Sequence, residues 1–401
     1  MKLSTLTRAD DPGPLLETLR AQGPLARMRV PLVGRVWVTT TDAAARAVLK
    51  DPRFRRDTAT VTGKPLARTY WWMPRRAAPL LDSMIAKDGG DHRRLRRLVD
   101  RAFARMAVAD LRPGLAARAD ALLDGIDPRA AADLVDGYTR PLPFAAVADL
   151  LGLSHRVDAL SRAVAPLSAV GGTLSALWAL ARMGRAVRLI RAEIAAARQA
   201  PRPGLLSALV AAEAEGDRLS EDELVAMVFT LFVAGYETTV HLLNAAILTL
   251  CDAPHLRERV RADGDARALF VEEVMRFVSP VATTKAHYAS EALDVLGAPV
   301  AKGEAVFPLL LAANRDPARW DHPERFRSER RPNAHLGFGH GPHACLGMAL
   351  ARLEAEVGIE RLLARFPDFA LEQAIRPGWT RRMGIRAPDG LSIRLRPRGA
   401  R

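Results

Sequence analysis

Cysteine is nearly missing from this chain of 401 residues: it occurs only as Cys251 and Cys345. Two thiols so far apart are no disulfide framework, and they point to a reducing compartment. Chemistry at Cys345 must therefore use a free thiol. Lysine is also scarce. Six of the 59 basic side chains are lysine (Lys2, Lys50, Lys64, Lys87, Lys285 and Lys302), and the rest are arginine. Aromatic residues make up 5%. With no zinc-finger spacing and no RNA-recognition signature, that argues against a nucleic-acid binder. No helical-repeat period is present, and no low-complexity linker divides the sequence. Residues 1–14 hold no apolar run of signal-peptide length, and Asp10 and Asp11 interrupt them. One apolar run, Val225 to Cys251, has bilayer length, with Glu237 and His241 as its only ionisable residues. Ser220 and Glu223 ahead of it form a capping box, and Pro254 follows, so it reads as a long buried helix rather than a membrane span.

Hydrophobic residues at 49% and charged residues at 26% are enough for a packed core and exclude wholesale disorder. The net charge of +14 calls for an acidic partner. Apolar residues recur mostly at helical spacing. That spacing predicts helices near 12–22, 41–50, 91–106, 110–125, 138–152, 155–168, 172–199, 204–214, 220–251, 253–261, 266–279 and 346–365. Residues 27–30 and 35–39 flank a turn and read as a hairpin. Short strands are expected around 285–308 and 382–396. The expectation is one mostly α domain over 1–401. Its small β-rich portion lies mainly at about 24–60 and 280–310, and its helical core at about 85–280 and 346–366.

The segment from His335 to Gly347 reads HLGFGHGPHACLG. Its glycines permit unusual backbone angles and close approach to a flat ligand. Cys345 stands just before a helical pattern, where amides and dipole favour a thiolate. Four readings follow from the residues. Cys345 can be a buried structural cysteine, or a nucleophile partnered by histidine. It can join His335, His340 and His343 around zinc, although the spacing matches no common zinc pattern. Or it can ligate haem iron.

The ten residues FGHGPHACLG resemble the haem-binding signature of the cytochromes P450 at Phe338, Gly339, Gly341, His343, Cys345 and Gly347. The resemblance to soluble bacterial members extends over nearly the whole chain. It implies the cytochrome P450 fold, a large helical domain with a small β-rich portion, and haem b as cofactor. Cys345 is then the axial iron ligand, Phe338 packs beside the sulfur, and His343 reaches a propionate. Ala234-Gly235-Tyr236-Glu237-Thr238-Thr239, midway along the long helix, is similar to the family's oxygen-activation motif. By that likeness Ala234 and Gly235 leave room for dioxygen, while Glu237 and Thr238 relay protons. Glu273 and Arg276, at i, i+3, resemble the family's Glu-x-x-Arg, with Arg325 of Pro-Glu-Arg-Phe as the implied third member. His92 and Arg96 resemble a propionate-binding pair. After the Glu-x-x-Arg helix the family usually places Arg-x-Ala. Here His287 stands in the arginine's place, with Lys285 as the nearby alternative.

The resemblance implies a monooxygenase that inserts one oxygen atom from O2 into a small hydrophobic substrate, by hydroxylation or O-dealkylation. Electrons would come from a separate ferredoxin or flavodoxin with its NAD(P)H-dependent reductase. The alternatives are a peroxide-driven or atypical enzyme (C–C coupling, isomerisation) on the same scaffold, and a non-catalytic haem sensor. Trp71, Trp72, Val233, Val281 and Thr283 are the candidate substrate contacts, and Arg68, Arg75 and Arg76 could bind an acid. A monomeric cytoplasmic protein, with neither nucleic acid nor membrane as partner, is expected. Arg93, Arg94, Arg97 and Arg101, with Arg315, Arg319, Arg327, Arg330 and Arg331, are expected to make a basic face for an acidic redox protein.

Overall fold

The computed structural model describes residues 1–30, 34–63, 80, 83–104, 108–168, 173–214, 219–373 and 376–396. The chain divides into two compact units. The first gathers Met1–Phe54, Arg112–Leu142 and Thr238–Arg401, and the second gathers Arg55–Leu111 and Pro143–Glu237.

The first unit carries the sheets. Its strands are β1 (Leu25–Val30), β2 (Gly34–Thr39), β3 (Phe54–Arg55), β4 (Ala132–Asp133), β5 (His287–Ala289), β6 (Leu293–Val295), β7 (Ala298–Val300), β8 (Ala305–Phe307), β9 (Asp368–Leu371) and β10 (Ser392–Arg396). β1 and β2 form the expected hairpin, with Leu25 opposite Thr39 and Met28 opposite Val36. The main sheet runs β1-β2-β8-β5-β3, and β9, β10 and β4 make a second one. Period-two alternation assigns the faces of β2. Val36 and Val38 pack with Leu3, Leu6, Leu16 and Leu19 of the first two helices. Trp37, between them, packs with Ala44 and Val48 of the helix Asp42–Lys50.

Helices of this unit start where the sequence supplies caps. Thr41 accepts the Ala44 amide at 3.2 Å, opening Asp42–Lys50. Asp263 accepts the amides of Asp265 and Ala266, opening Gly264–Phe277. The helix Met348–Arg365 packs on Arg112–Asp124 and on Gly264–Phe277. At Gly358 a Cβ would lie 2.9 Å from Leu243, so glycine lets the two backbones approach.

The second unit is helical. Gly89–Ala104, Val157–Ser168, Thr173–Gln199, Leu205–Ala214 and most of Glu221–Asp252 belong to it. Phe144, Phe232 and Tyr236 form an edge-on aromatic cluster with centroids 4.8–5.8 Å apart. Gly152 and Gly204, both at positive φ, let two loops touch: a Cβ on Gly152 would sit 2.6 Å from the Pro203 carbonyl oxygen.

Helix ends differ from the periodicity reading by a few residues, the ordinary scatter of frayed termini. The expected helix 138–152 starts instead with a π turn, Val135–Thr139, and continues as Pro141–Leu151. Pro141 lacks an amide hydrogen, so it suits only the first turn of a new helix. The short helices Leu3–Thr7 and Thr58–Thr62 and the strands β4 and β9 were not anticipated. Each is too short to show a period. In the stretch expected as strand over 382–396, only Ser392–Arg396 is one. The helix Glu221–Asp252 is the described helix long and apolar enough to cross a membrane, and 61% of its apolar window is buried by the protein itself.

Candidate functional site

The Cys345 loop belongs to the first unit. Its turn is closed by the amide of Gly339 donating to the Leu336 carbonyl (2.8 Å) and the amide of Cys345 donating to the Phe338 carbonyl (2.8 Å). Gly339 and Gly341 have φ of +73° and +72°, angles that L-residues with a Cβ resist. A Cβ on Gly341 would also lie 2.5 Å from the carbonyl oxygen of Leu49, so glycine docks this loop on the helix Asp42–Lys50. Behind Cys345, Phe338 lies under the guanidinium of Arg352, 4.8 Å from its ring centre, and 5.7 Å from His335. Arg352 donates twice to Glu272, at 2.7 and 2.8 Å. Despite the burial of Glu272, His335 and Arg352 hold its carboxyl down at about 2. The result is a hydrogen-bonded turn with exposed Cys345 at its end.

These features separate the readings of Cys345. The buried structural role fails, because the residue is exposed. Cys251 is the structural cysteine, its thiol pushed up to about 12 by burial and therefore inert. The zinc reading also fails: among the described residues no three His, Cys, Asp or Glu side chains come together as a metal site. A haem fits. A soft thiol on an exposed residue ends a glycine turn whose backbone admits a flat group close by.

Glu273 and Arg276 are fully buried and meet in a fork, with both bonds at 2.8 Å. The third member differs from the expectation. The side chain of Arg325 is exposed and faces Glu324. Arg330, buried, reaches Glu273 at 3.3 Å, and Asn333 and the Arg327 amide complete the shell. Arg325 contributes only its carbonyl, which accepts from Arg276 at 3.0 Å. The segment is a run of turns in which the side chain of Arg325 is exposed and that of Arg330 is buried.

His287 sits in β5 opposite Val306 and is buried. Its Nδ1 lies 3.0 Å from the Lys285 carbonyl oxygen, so the proton belongs on Nδ1 and the ring is oriented by it. Lys285 itself is exposed. Thr283 is buried, its hydroxyl given to the Pro308 carbonyl (2.9 Å), so it offers no hydroxyl to a ligand. Val281 is half-buried and bridges to Ile385.

The long helix passes from the second unit into the first after Glu237. Its capping box is formed: the Ser220 amide donates to Glu223 at 2.8 Å, and the Glu223 amide to the Ser220 hydroxyl at 3.1 Å. Midway along, Ala234 is exposed, and Val233, Glu237 and Thr238 are partly so, between buried Phe232, Tyr236 and Thr239. Helical spacing makes two same-face pairs of these, Val233 with Glu237 and Ala234 with Thr238. An accessible stripe in an otherwise buried helix is what a ligand face requires. A Cβ on Gly235 would meet the Val147 side chain at 2.9 Å, so this glycine also serves helix packing.

His92 and Arg96 lie one turn apart on Gly89–Ala104. His92 is buried, and the Arg96 Nε donates to Asp100 at 3.1 Å. Trp71 and Trp72, with Arg68, Arg75 and Arg76, lie outside the described residues.

One residue escaped the sequence reading. Glu354, in the helix after Cys345, is completely buried, and neither oxygen has a hydrogen bond of good geometry. Burial pushes its carboxyl up to about 8, against the weaker pull of the Thr239 hydroxyl. The signal was available: Glu354 falls between Leu350 and Gly358 at i±4, on the buried face.

Comparison with known proteins gives a consistent result. The family model described as cytochrome P450 matches residues 182–374. Cytochrome P450 107B1 of Saccharopolyspora erythraea is 38% identical, covering 86% of this chain and 87% of its own length. Cytochrome P450 monooxygenase PikC of Streptomyces venezuelae is 36% identical over 97% of this chain and 92% of its own. Among solved structures, the myxobacterial cytochrome P450 CYP267B1 in complex with myristic acid superposes with a TM-score of 0.88 at 35% identity, covering 97% of each chain.

Proposed function

Because the chain belongs to the cytochrome P450 family, we propose that it inserts one oxygen atom from O2 into a hydrophobic organic substrate, by hydroxylation or O-dealkylation. It is a P450 oxidoreductase that takes haem b and carries out the O2-dependent oxidation of small hydrophobic molecules. The observation that carries the reading is exposed Cys345 at the end of its glycine turn.

Cys345 would hold the iron, with His343, His92 and Arg96 as donors for the propionates and His287, when its ring also carries a proton on Nε2, as a further one. When bound, the haem supplies dioxygen binding and the oxidising chemistry. The protein's own task is to bring substrate and protons. The Thr238 hydroxyl holds a proton at Oγ1 on the accessible stripe. Glu237, the next residue and half-buried, moves protons from solvent toward it. Ala234, one turn before Thr238, keeps the space beside that hydroxyl free of side chain. Val233 and Val281 give apolar contact to substrate, and Trp71 and Trp72 are further candidate contacts.

Electrons would come from a ferredoxin or flavodoxin served by an NAD(P)H-dependent reductase. Arg93, Arg97 and Arg101 support this, since they recur every four residues as an exposed basic stripe on Gly89–Ala104. A monomeric cytoplasmic enzyme suits such a partner. The test is turnover of apolar candidates under isotopically heavy O2 with a surrogate ferredoxin system. One heavy oxygen atom is expected in the hydroxylated product or, on O-dealkylation, in the hemiacetal formed before the carbonyl fragment leaves. Equal turnover with peroxide alone, or product oxygen drawn from water, would contradict the proposal.

A further inference from the structure

A cavity of about 470 Å³ opens in the first unit, and none of its lining residues belongs to the cysteine loop. Its walls are unusual in carrying buried arginines. Arg315 is 7% exposed. Its Nε and Nη2 both donate to the Phe277 carbonyl, at 3.0 and 2.8 Å. Its guanidinium carbon stacks 3.5 Å over the Phe277 ring. Among the described residues Nη1 has no acceptor, and no carboxylate lies within 4.0 Å to form an ion pair. Arg386, 3% exposed, also lines the cavity. Its Nη atoms go to the carbonyls of Thr7, Ala9 and Asp10, and its Nε has no hydrogen bond. Burial and the neighbouring Arg276 and Arg386 lower the Arg315 pKa to about 9, so the group stays charged at neutral pH.

The acids around the cavity are already engaged. Four carboxylates line it: Asp10 accepts the Trp379 indole N–H at 2.7 Å, Asp11 accepts the Gly13 amide at 2.9 Å, Asp252 pairs with Arg376 at 2.8 Å, and Glu324 pairs with Arg325 at 3.5 Å. Arg276, behind Arg315, is matched by Glu273. Arg315 and Arg386 therefore face this space with Asp10 and Asp11 near enough to act on them but, among the described residues, with no carboxylate in contact, an arrangement that burial makes costly. A carboxylate or phosphate-like anion would complement the free edge of Arg315, and a planar carboxylate does so with two oxygens. The apolar part of the wall is Phe277 and Phe326, in edge contact at 5.6 Å, with Trp379, Val278 and Ala253. The volume far exceeds that of a bare ion and lies in the range of organic ligands.

We propose that this cavity binds a small organic carboxylate, its charged end on Nη1 of Arg315 and its hydrocarbon body against Phe277, Phe326 and Trp379. The site is separate from the proposed oxidation chemistry and stands or falls without it. Titration calorimetry of the haem-loaded protein with phenylacetate tests it. Saturable 1:1 binding is expected, with phenylacetamide, which lacks the charge, at least about tenfold weaker. The ferric haem spectrum should not shift at saturation. Arg315→Lys keeps the charge but not the fork, and should weaken binding about tenfold. Should that variant fold poorly, Ala253→Phe fills the cavity from its rim without touching the arginines, and should abolish binding. No saturable heat at millimolar phenylacetate would overturn the proposal. So would equal affinity for the amide, displacement by inorganic phosphate at equal affinity, a haem shift tracking the same curve, or unchanged binding in Ala253→Phe.

Discussion

At the scale of single residues, burial decides which charges matter. Glu273 receives five donors from Arg276, Arg330, Asn333 and the Arg327 amide, and it is fully buried. Removing Arg330 leaves that carboxylate under-paired and takes a donor from the carbonyls of Asp321 and His322. Arg330→Ala should cost about 2–4 kcal/mol in urea unfolding. Arg325→Ala, at an exposed side chain, should stay within about 0.5 kcal/mol. The reverse order would show that the motif's arginine, not the buried one, holds the triad. Sequence spacing found Glu273 and Arg276 because i, i+3 is visible in a helix. The third member lies in a loop, where side-chain direction has no period to reveal it. Glu354 supplies a pH dependence. Its folded-state value is about 8 against an ordinary 4.5. Below the ordinary value both states are protonated. Between the two values the unfolded chain ionises and the folded one does not, so stability falls by about 1.4 kcal/mol per pH unit as pH rises. Glu354→Gln cannot titrate, so its melting temperature should gain on the parent between about pH 5 and 8. Parallel melting curves across that range would rule out a buried neutral carboxyl.

At the scale of elements, the long helix was legible in start, length and burial, because its capping box and apolar run are local signals. What it packs against was not. Gly235 looked like part of a ligand face alone, yet its missing Cβ is also where Val147 of Pro141–Leu151 fits. Gly235→Ala gains about 1 kcal/mol of helix propensity but forces a contact that overpacking puts at about 1–3 kcal/mol. The net should be destabilising, and Val147→Ala should reverse it. Denaturant melts of the two single variants and the double variant measure this. A stabilising Gly235→Ala would remove the packing role. The cysteine turn was equally legible, since glycines at 339 and 341 occupy positive φ. Its seat on Asp42–Lys50 depends on residues nearly three hundred positions apart, which no local pattern reports.

At the scale of the whole molecule, the surplus of +14 divides by burial. Arg315 and Arg330, expected on a docking face, are buried. Arg94 pairs with Glu223, and Arg327 with Asp321 at 3.2 Å. Arg93, Arg97 and Arg101 remain as an exposed stripe, and Arg319 and Arg331 are exposed as well. Charge reversal at Arg93 and Arg97 should slow reduction by an acidic ferredoxin at low ionic strength, and high salt should erase the difference. Stopped-flow rates that ignore salt in both proteins would remove the stripe from the account. The central claim rests on Cys345 and is tested most directly by the absorption spectrum of the reduced carbon monoxide complex. The account predicts the red-shifted Soret band of thiolate ligation in the parent and in Cys251→Ser, and its loss in Cys345→Ser. A red-shifted band that survives in Cys345→Ser would contradict it.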